Sequence, residues 1–113
     1  MLIVDDHPTF RATARVVLEA EGYEVVGEVA DGAAAIEAAG ALSPDIVLLD
    51  VQLPDTDGFA VAARLTANGN GPAVVLTSSR DAADFGPLVA ESGARGFVPK
   101  AELSGSAIAA LVR

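Results

Sequence analysis

The chain has 113 residues, no cysteine and a net charge of −9. That length makes one domain around a single hydrophobic core. The lack of cysteine excludes a disulfide framework and thiolate metal sites, and it fits a cytoplasmic setting. So acidic a surface repels nucleic acid and anionic membrane, so any action on DNA needs a contact made outside this chain. No apolar run approaches the roughly 20 residues that span a bilayer.

Met1 to Val4 is a short apolar run ending at Asp5-Asp6 and reads as a first strand; with no basic stretch before it, it does not read as a leader. It is short for a strand, and a residue or two more is expected ahead of Met1. Pro8 suits the first turn of a helix, where its missing N–H costs nothing. Phe10, Ala14, Val17 and Leu18 then fall on one helical face, with Arg11, Arg15 and Glu19 toward solvent and Gly22 ending the helix. Glu24 to Ala30 is a second strand whose Glu24 and Glu28 suit a sheet edge, where charge discourages pairing with another chain. Asp31 caps an alanine-rich helix ending near Gly40.

Ile46-Val47-Leu48-Leu49 is a run of branched apolar residues bounded by Pro44-Asp45 and Pro54-Asp55, which predicts a strand buried on both faces. It ends in Asp50, a carboxylate that cannot remain in that layer without a partner or water. After a loop holding the turn formers Asp55 and Asp57 comes a helix from about Phe59 to Ala67. Asn68 to Pro72 is turn chemistry, and a fourth strand, Ala73 to Leu76, ends at Thr77-Ser78-Ser79. Residues 81–92 have helical character interrupted by Gly86-Pro87. We expect an irregular or single-turn segment to Phe85, then a short helix begun by Pro87 and packed through Leu88 and Val89. A short fifth strand, Phe97-Val98, ends at Pro99-Lys100. The last helix is expected over Glu102 to Arg113, with Leu103, Ala107, Ile108 and Leu111 on one face.

Five strands alternating with five helices predict an α/β fold: a doubly wound five-stranded parallel sheet with right-handed crossovers and helices on both faces. Ligands of such sheets bind beyond the carboxyl ends of the strands. Those ends carry Asp5-Asp6, Asp50, Thr77 and Lys100, so acids, a hydroxyl and an ammonium converge on one edge. Two carboxylates about 5 Å apart repel by roughly 3 kcal/mol at an effective dielectric of about 20. A divalent cation relieves that repulsion, and an all-oxygen set with open positions suits Mg²⁺. With the cation in place a carboxylate can attack a phosphoryl donor, while Lys100 and the Thr77 hydroxyl hold the new oxygens.

At these positions the sequence resembles the receiver domain of two-component response regulators over nearly its whole length, 1–113. The matches are Asp5-Asp6 after strand one, Asp50 followed by Pro54 and Gly58, Thr77 after strand four, and Phe97 three residues before Lys100. The opening DDHP and the stretch VVGEVADG are most similar to the subfamily that usually carries a helix-turn-helix output domain. The resemblance implies a flavodoxin-like sheet of order 2-1-3-4-5. It implies that Asp50 accepts a phosphoryl group from a sensor histidine kinase, and that Asp5, Asp6, Asp50 and the backbone carbonyl of Gln52 surround Mg²⁺. Thr77, the backbone of Ser78 and Lys100 would bind the phosphoryl group, and Thr77 with Phe97 would be the switch pair. An output partner of unknown identity, and a homodimer formed on phosphorylation, also follow from it. Leu53 stands where methionine is frequent, and Lys100 is followed by Ala101 where many receivers have proline.

Two other functions fit parts of the pattern. A Mg²⁺-dependent phosphohydrolase also uses an aspartyl phosphate, but it needs a second acid two residues beyond the nucleophile, and that position is Gln52. A receiver-like binding module that is never phosphorylated would have no use for the full acid set. His7 reads as a lone loop imidazole without metal or phosphate work.

Overall fold

In the computed structural model, which describes residues 1–112, the helices and strands alternate along the whole chain. The strands are β1 (Leu2–Val4), β2 (Gly27–Val29), β3 (Ile46–Asp50), β4 (Ala73–Ser78) and β5 (Gly96–Pro99). They form one parallel sheet of order β2-β1-β3-β4-β5, as the strand pattern and the resemblance predict. The helices are α1 (Pro8–Ala20), α2 (Gly32–Leu42), α3 (Gly58–Thr66), α4 (Leu88–Glu91) and α5 (Gly105–Val112).

Alternation along the strands splits the apolar residues into two cores. Leu2, Val4, Val47, Leu49, Val74 and Leu76 face Ala35, Val61 and Ala62 of α2 and α3. Ile3, Leu48, Val75 and Val98 face Ala14 and Leu18 of α1 and Ile108 of α5. The fully buried branched residues of β3 are thus shared between both faces, which is why that strand is a continuous apolar run.

The helix starts follow from their caps. The Asp31 carboxylate accepts from Ala34 N (2.7 Å) and the Asp57 carboxylate from Ala60 N (2.8 Å), each satisfying a first-turn amide. Pro8 opens α1, and Gly22 lies just beyond it at φ +94°. Gly58 is required by space rather than by conformation. A Cβ there would lie 2.3 Å from the Asp50 carbonyl oxygen and 2.8 Å from Val51 Cα, so the loop after β3 can fold back on the strand only if that atom is absent.

The structure differs from expectation in several places. β2 has three residues, Gly27–Val29, instead of spanning 24–30; before it, Val26 N already bonds to the Met1 carbonyl. α2 runs through Gly40 to Leu42 and is closed by Ser43 in the left-handed conformation at φ +47°. Arg11 and Arg15 do not simply face solvent, since both reach Glu28 on the edge strand, Arg15 at 2.6 Å and Arg11 at 3.5 Å. Helical structure between 81 and 92 is split as expected into a 3₁₀ turn, Ala82–Phe85, and α4. There Gly86 has φ +56° and ψ −132°, a backbone open to glycine. Val89 packs on the core, but Leu88 stays 45% exposed and does not. The last helix begins at Gly105, not Glu102. Residues Lys100–Glu102 form a separate 3₁₀ turn, and Ser104 Oγ accepts from Ala107 N at 3.0 Å to start α5. Arg113, its expected end, lies outside the described residues. Among the described residues no helix is long and apolar enough to cross a membrane.

Candidate functional site

The sheet register brings the chemistry together. Asp50 is paired with Thr77, and Ser78 with Pro99, so β3, β4 and β5 end side by side at one edge. Asp5 follows the last residue of β1 and is anchored there by its own N–H on the Val29 carbonyl at 3.1 Å. Asp5, Asp50, Thr77 and Ser78 are all buried, although each carries a polar side chain. That placement is what a strand-end ligand site demands.

Lys100 is the cation between the acids. Its Nζ lies 2.6 Å from Asp5 Oδ2 and donates to Asp50 Oδ2 at 3.2 Å. The ammonium also sits over the Phe10 ring, 4.5 Å from its centroid. Asp5 Oδ1 accepts from His7 N at 2.8 Å, whereas Asp5 Oδ2 is held by the ion pair with Lys100. Asp50 Oδ1 accepts from Gln52 N at 3.1 Å.

These contacts set opposite electrostatics for neighbouring carboxylates. Burial pushes Asp5 upward, but Lys100 and the two donors of His7 outweigh it and hold Asp5 below the usual carboxylate range. Asp50 is raised, first by burial and then by the charge of Asp5, with Gln52 N and Lys100 offsetting only part. Burial works against the Lys100 ammonium, yet Asp5 and Asp50 together raise its affinity for the proton above that of an ordinary lysine.

Of the residues picked out from the sequence, the structure joins Asp5, Asp50 and Lys100 directly and places Asp6 beside them, with Gln52 tied to Asp50 through its N–H. Thr77 is at the same strand edge, but its hydroxyl donates to the Val98 carbonyl at 2.6 Å. The Ser78 hydroxyl accepts from Arg80 N at 3.1 Å, closing the turn that follows β4. Phe97 lies nearer the start of β5, in a row of rings: Phe97 to Phe85 5.7 Å, Phe85 to Phe59 5.5 Å between centroids.

Two residues do more than their sequence context suggests. His7 Nδ1 lies 2.9 Å from Asp5 Oδ1 and 3.1 Å from Asp6 Oδ1. Ligand atoms of Asp5, Asp6, His7 and Asp50 all fall within 4.8 Å of one another. Asp55 reaches across to α2, where its carboxylate accepts from Gly32 N at 2.8 Å and Ala33 N at 3.0 Å, and those bonds lower its pKa. The adjacency of His7 to Asp6 is visible in the sequence. Nothing near Asp55 points to a partner in a distant helix.

The arrangement matches known proteins. The family model described as "Response regulator receiver domain" covers residues 1–112. The DNA-binding transcriptional activator EvgA of Escherichia coli K12 is 33% identical over 110 residues, which are 97% of this chain and 54% of EvgA. The signal receiver domain of NarL from Mycobacterium tuberculosis superposes with a TM-score of 0.85 at 35% identity, covering 97% of this chain and 93% of that one. A chain of the CheX-CheY-BeF3-Mg²⁺ complex from Borrelia burgdorferi superposes with a TM-score of 0.83 at 25% identity, covering 98% of this chain and 84% of the matched chain. The chain belongs to the response regulator receiver domains, the receiving part of two-component signalling. It spans about half the length of the curated relatives it matches.

Proposed function

We propose that this chain is the cytoplasmic phosphoacceptor of a transcription-regulating response regulator, taking a phosphoryl group from a sensor kinase's phosphohistidine onto Asp50. The observation that carries this reading is the placement of Asp50. It is buried at the end of β3, one oxygen on the Gln52 amide and the other facing the Lys100 ammonium. A carboxylate oxygen attacks phosphorus, the P–N bond to the donor imidazole breaks, and the imidazole leaves with the bonding pair. Lys100 and the backbone N–H of Ser78 are then the donors for the phosphoryl oxygens.

The acid cluster fits a divalent cation. Asp5 and Asp50 are buried carboxylates that share the Lys100 ammonium, and the donor set beside them is rich in carboxylate oxygen. Asp5, Asp6, Asp50 and the carbonyl of Gln52 would hold Mg²⁺, which when bound neutralises charge that develops on the transferring group. The similar CheX-CheY complex of Borrelia burgdorferi, which contains BeF3 and Mg²⁺ together, supports the assignment.

Once Asp50 is modified, Thr77 exchanges the Val98 carbonyl for a phosphoryl oxygen. That exchange frees β5 locally and lets Phe97 repack against Phe85. The surface around α4 and β5 changes, and an output domain or partner, or a second copy of the chain, reads the change. No separate substrate is turned over. The test is intact mass after incubation with a small phosphodonor. Wild type gains the mass of one phosphoryl group with Mg²⁺ and none with chelator, and Asp50→Asn gains none. A gain by Asp50→Asn equal to wild type overturns the reading.

A further inference from the structure

We propose that Phe10 is a positioning residue for phosphoryl transfer, the face of its ring holding the Lys100 ammonium in place beside the acids. The inference rests on the proposed function, in which Lys100 is a donor to the phosphoryl oxygens.

The contact is built from both ends of the chain. Lys100 opens the 3₁₀ turn after β5, and its side chain is 16% exposed. The ammonium meets Asp5 Oδ2 at 2.6 Å and Asp50 Oδ2 at 3.2 Å. Phe10 approaches it from α1, with Nζ 4.5 Å from the ring centroid. An ammonium carries three donors on a flexible four-carbon stem, so two carboxylates alone hold it loosely. The ring covers a side of it that water would otherwise solvate.

The ring itself is fixed. Pro8 opens α1, and Phe10, half-buried, packs against the core that contains Ile3, Ala14 and Leu48. The neighbouring Arg11 donates from Nη1 to the Asp5 carbonyl at 2.5 Å. That bond ties the first turn of α1 to the residue that pairs with Lys100.

Ring chemistry decides what this packing does. An aromatic face carries negative potential and attracts a cation, more strongly where water is excluded. Leucine would pack on the same core but leave the ammonium against a plain apolar surface, which disfavours the charge. The core contact needs an apolar side chain; the ammonium contact needs a ring. Because the attraction of the ring does not depend on the carboxylates, it persists when Asp50 is modified.

The first test is spectroscopic. Lys100 is the only lysine of the chain, so protein labelled in lysine gives one set of side-chain signals by NMR. Ring current should place the Lys100 Hε protons upfield of those of free lysine, and Phe10→Leu should abolish the shift. An unchanged position in the variant overturns the proposal. The second test replaces Phe10 with a ring-trifluorinated phenylalanine, which keeps the shape but removes the negative potential of the face. Phosphorylation by phosphoramidate at saturating Mg²⁺ should slow about threefold or more in that protein; equal rates overturn the proposal. The two readings fail separately. Wild type with the ring-current shift but no phosphoryl uptake refutes the phosphoacceptor role and leaves the ring–ammonium contact standing. Wild type that is phosphorylated, at a rate that fluorination does not change, refutes the role of Phe10 alone.

Discussion

Lys100 divides its charge unequally, 2.6 Å from Asp5 and 3.2 Å from Asp50, and the two acids respond in opposite senses. Asp5, held below the usual range, contributes stability above the unfolded-state value that is lost as pH falls through its folded value. Asp50, raised by burial and by Asp5, weighs against folding once ionised. Two carboxylates with ligand atoms up to 4.8 Å apart repel by about 3 kcal/mol at an effective dielectric near 20. Lys100 offsets only part of that. Without Mg²⁺, Asp50→Asn should therefore raise stability by about 1 kcal/mol, or about 4 °C in melting temperature. Lys100→Ala leaves two buried carboxylates uncompensated and should lower stability by about 2–3 kcal/mol, with Mg²⁺ restoring part of it. Thermal melts at neutral pH, with and without the cation, check both signs. A lower melting temperature for Asp50→Asn would mean that the repulsion is already neutralised.

Among the elements, α2 depends on a residue 23 positions away. Asp55 bonds the first amides of the helix, Gly32 N and Ala33 N, in addition to the local cap from Asp31. Because those bonds depress the Asp55 pKa, their contribution is present above about pH 4 and lost as pH falls through the folded value. Amide exchange at Gly32 and Ala33 should quicken on acidification in wild type and lack that dependence in Asp55→Asn. Exchange that responds to pH equally in both would place the titrating group elsewhere. The split of residues 81–92 is legible in the sequence because glycine and proline act through local sterics, and Gly86 takes a backbone that few other residues accept. The Asp55 bridge is not legible, since an aspartate in a turn reads as a turn former and its partner is set by how α2 and α3 pack. Neither the 3₁₀ turn nor α4 holds a buried residue. Residues 80–88 should thus exchange faster than β4 and gain protection when phosphodonor and Mg²⁺ are added; equal protection in both states would contradict a switch there.

Across the whole molecule, the sheet is legible because each strand-end polar residue interrupts an apolar run, marking both the strand and the edge it reaches. Asp50 after Ile46–Leu49 and Thr77 after Ala73–Leu76 are the clearest cases. Parallel pairing then places those ends side by side, so residues spanning most of the chain meet without any local motif. His7 carries little signal because a single imidazole in a loop has no periodicity to place it; only the turn after β1 aims it at Asp5 and Asp6. The short β2 and the late start of α5 are hidden for a related reason, since apolar pattern does not report where hydrogen-bonded pairing stops. The central claim is that this architecture makes one aspartate, out of several at the same edge, the phosphoryl acceptor. Reducing the phosphodonor-treated protein with borohydride converts an aspartyl phosphate to homoserine, which peptide mass spectrometry locates. The account predicts homoserine at position 50 alone. Homoserine at Asp5, Asp6, Asp55 or Asp57, or at none of them, would contradict it.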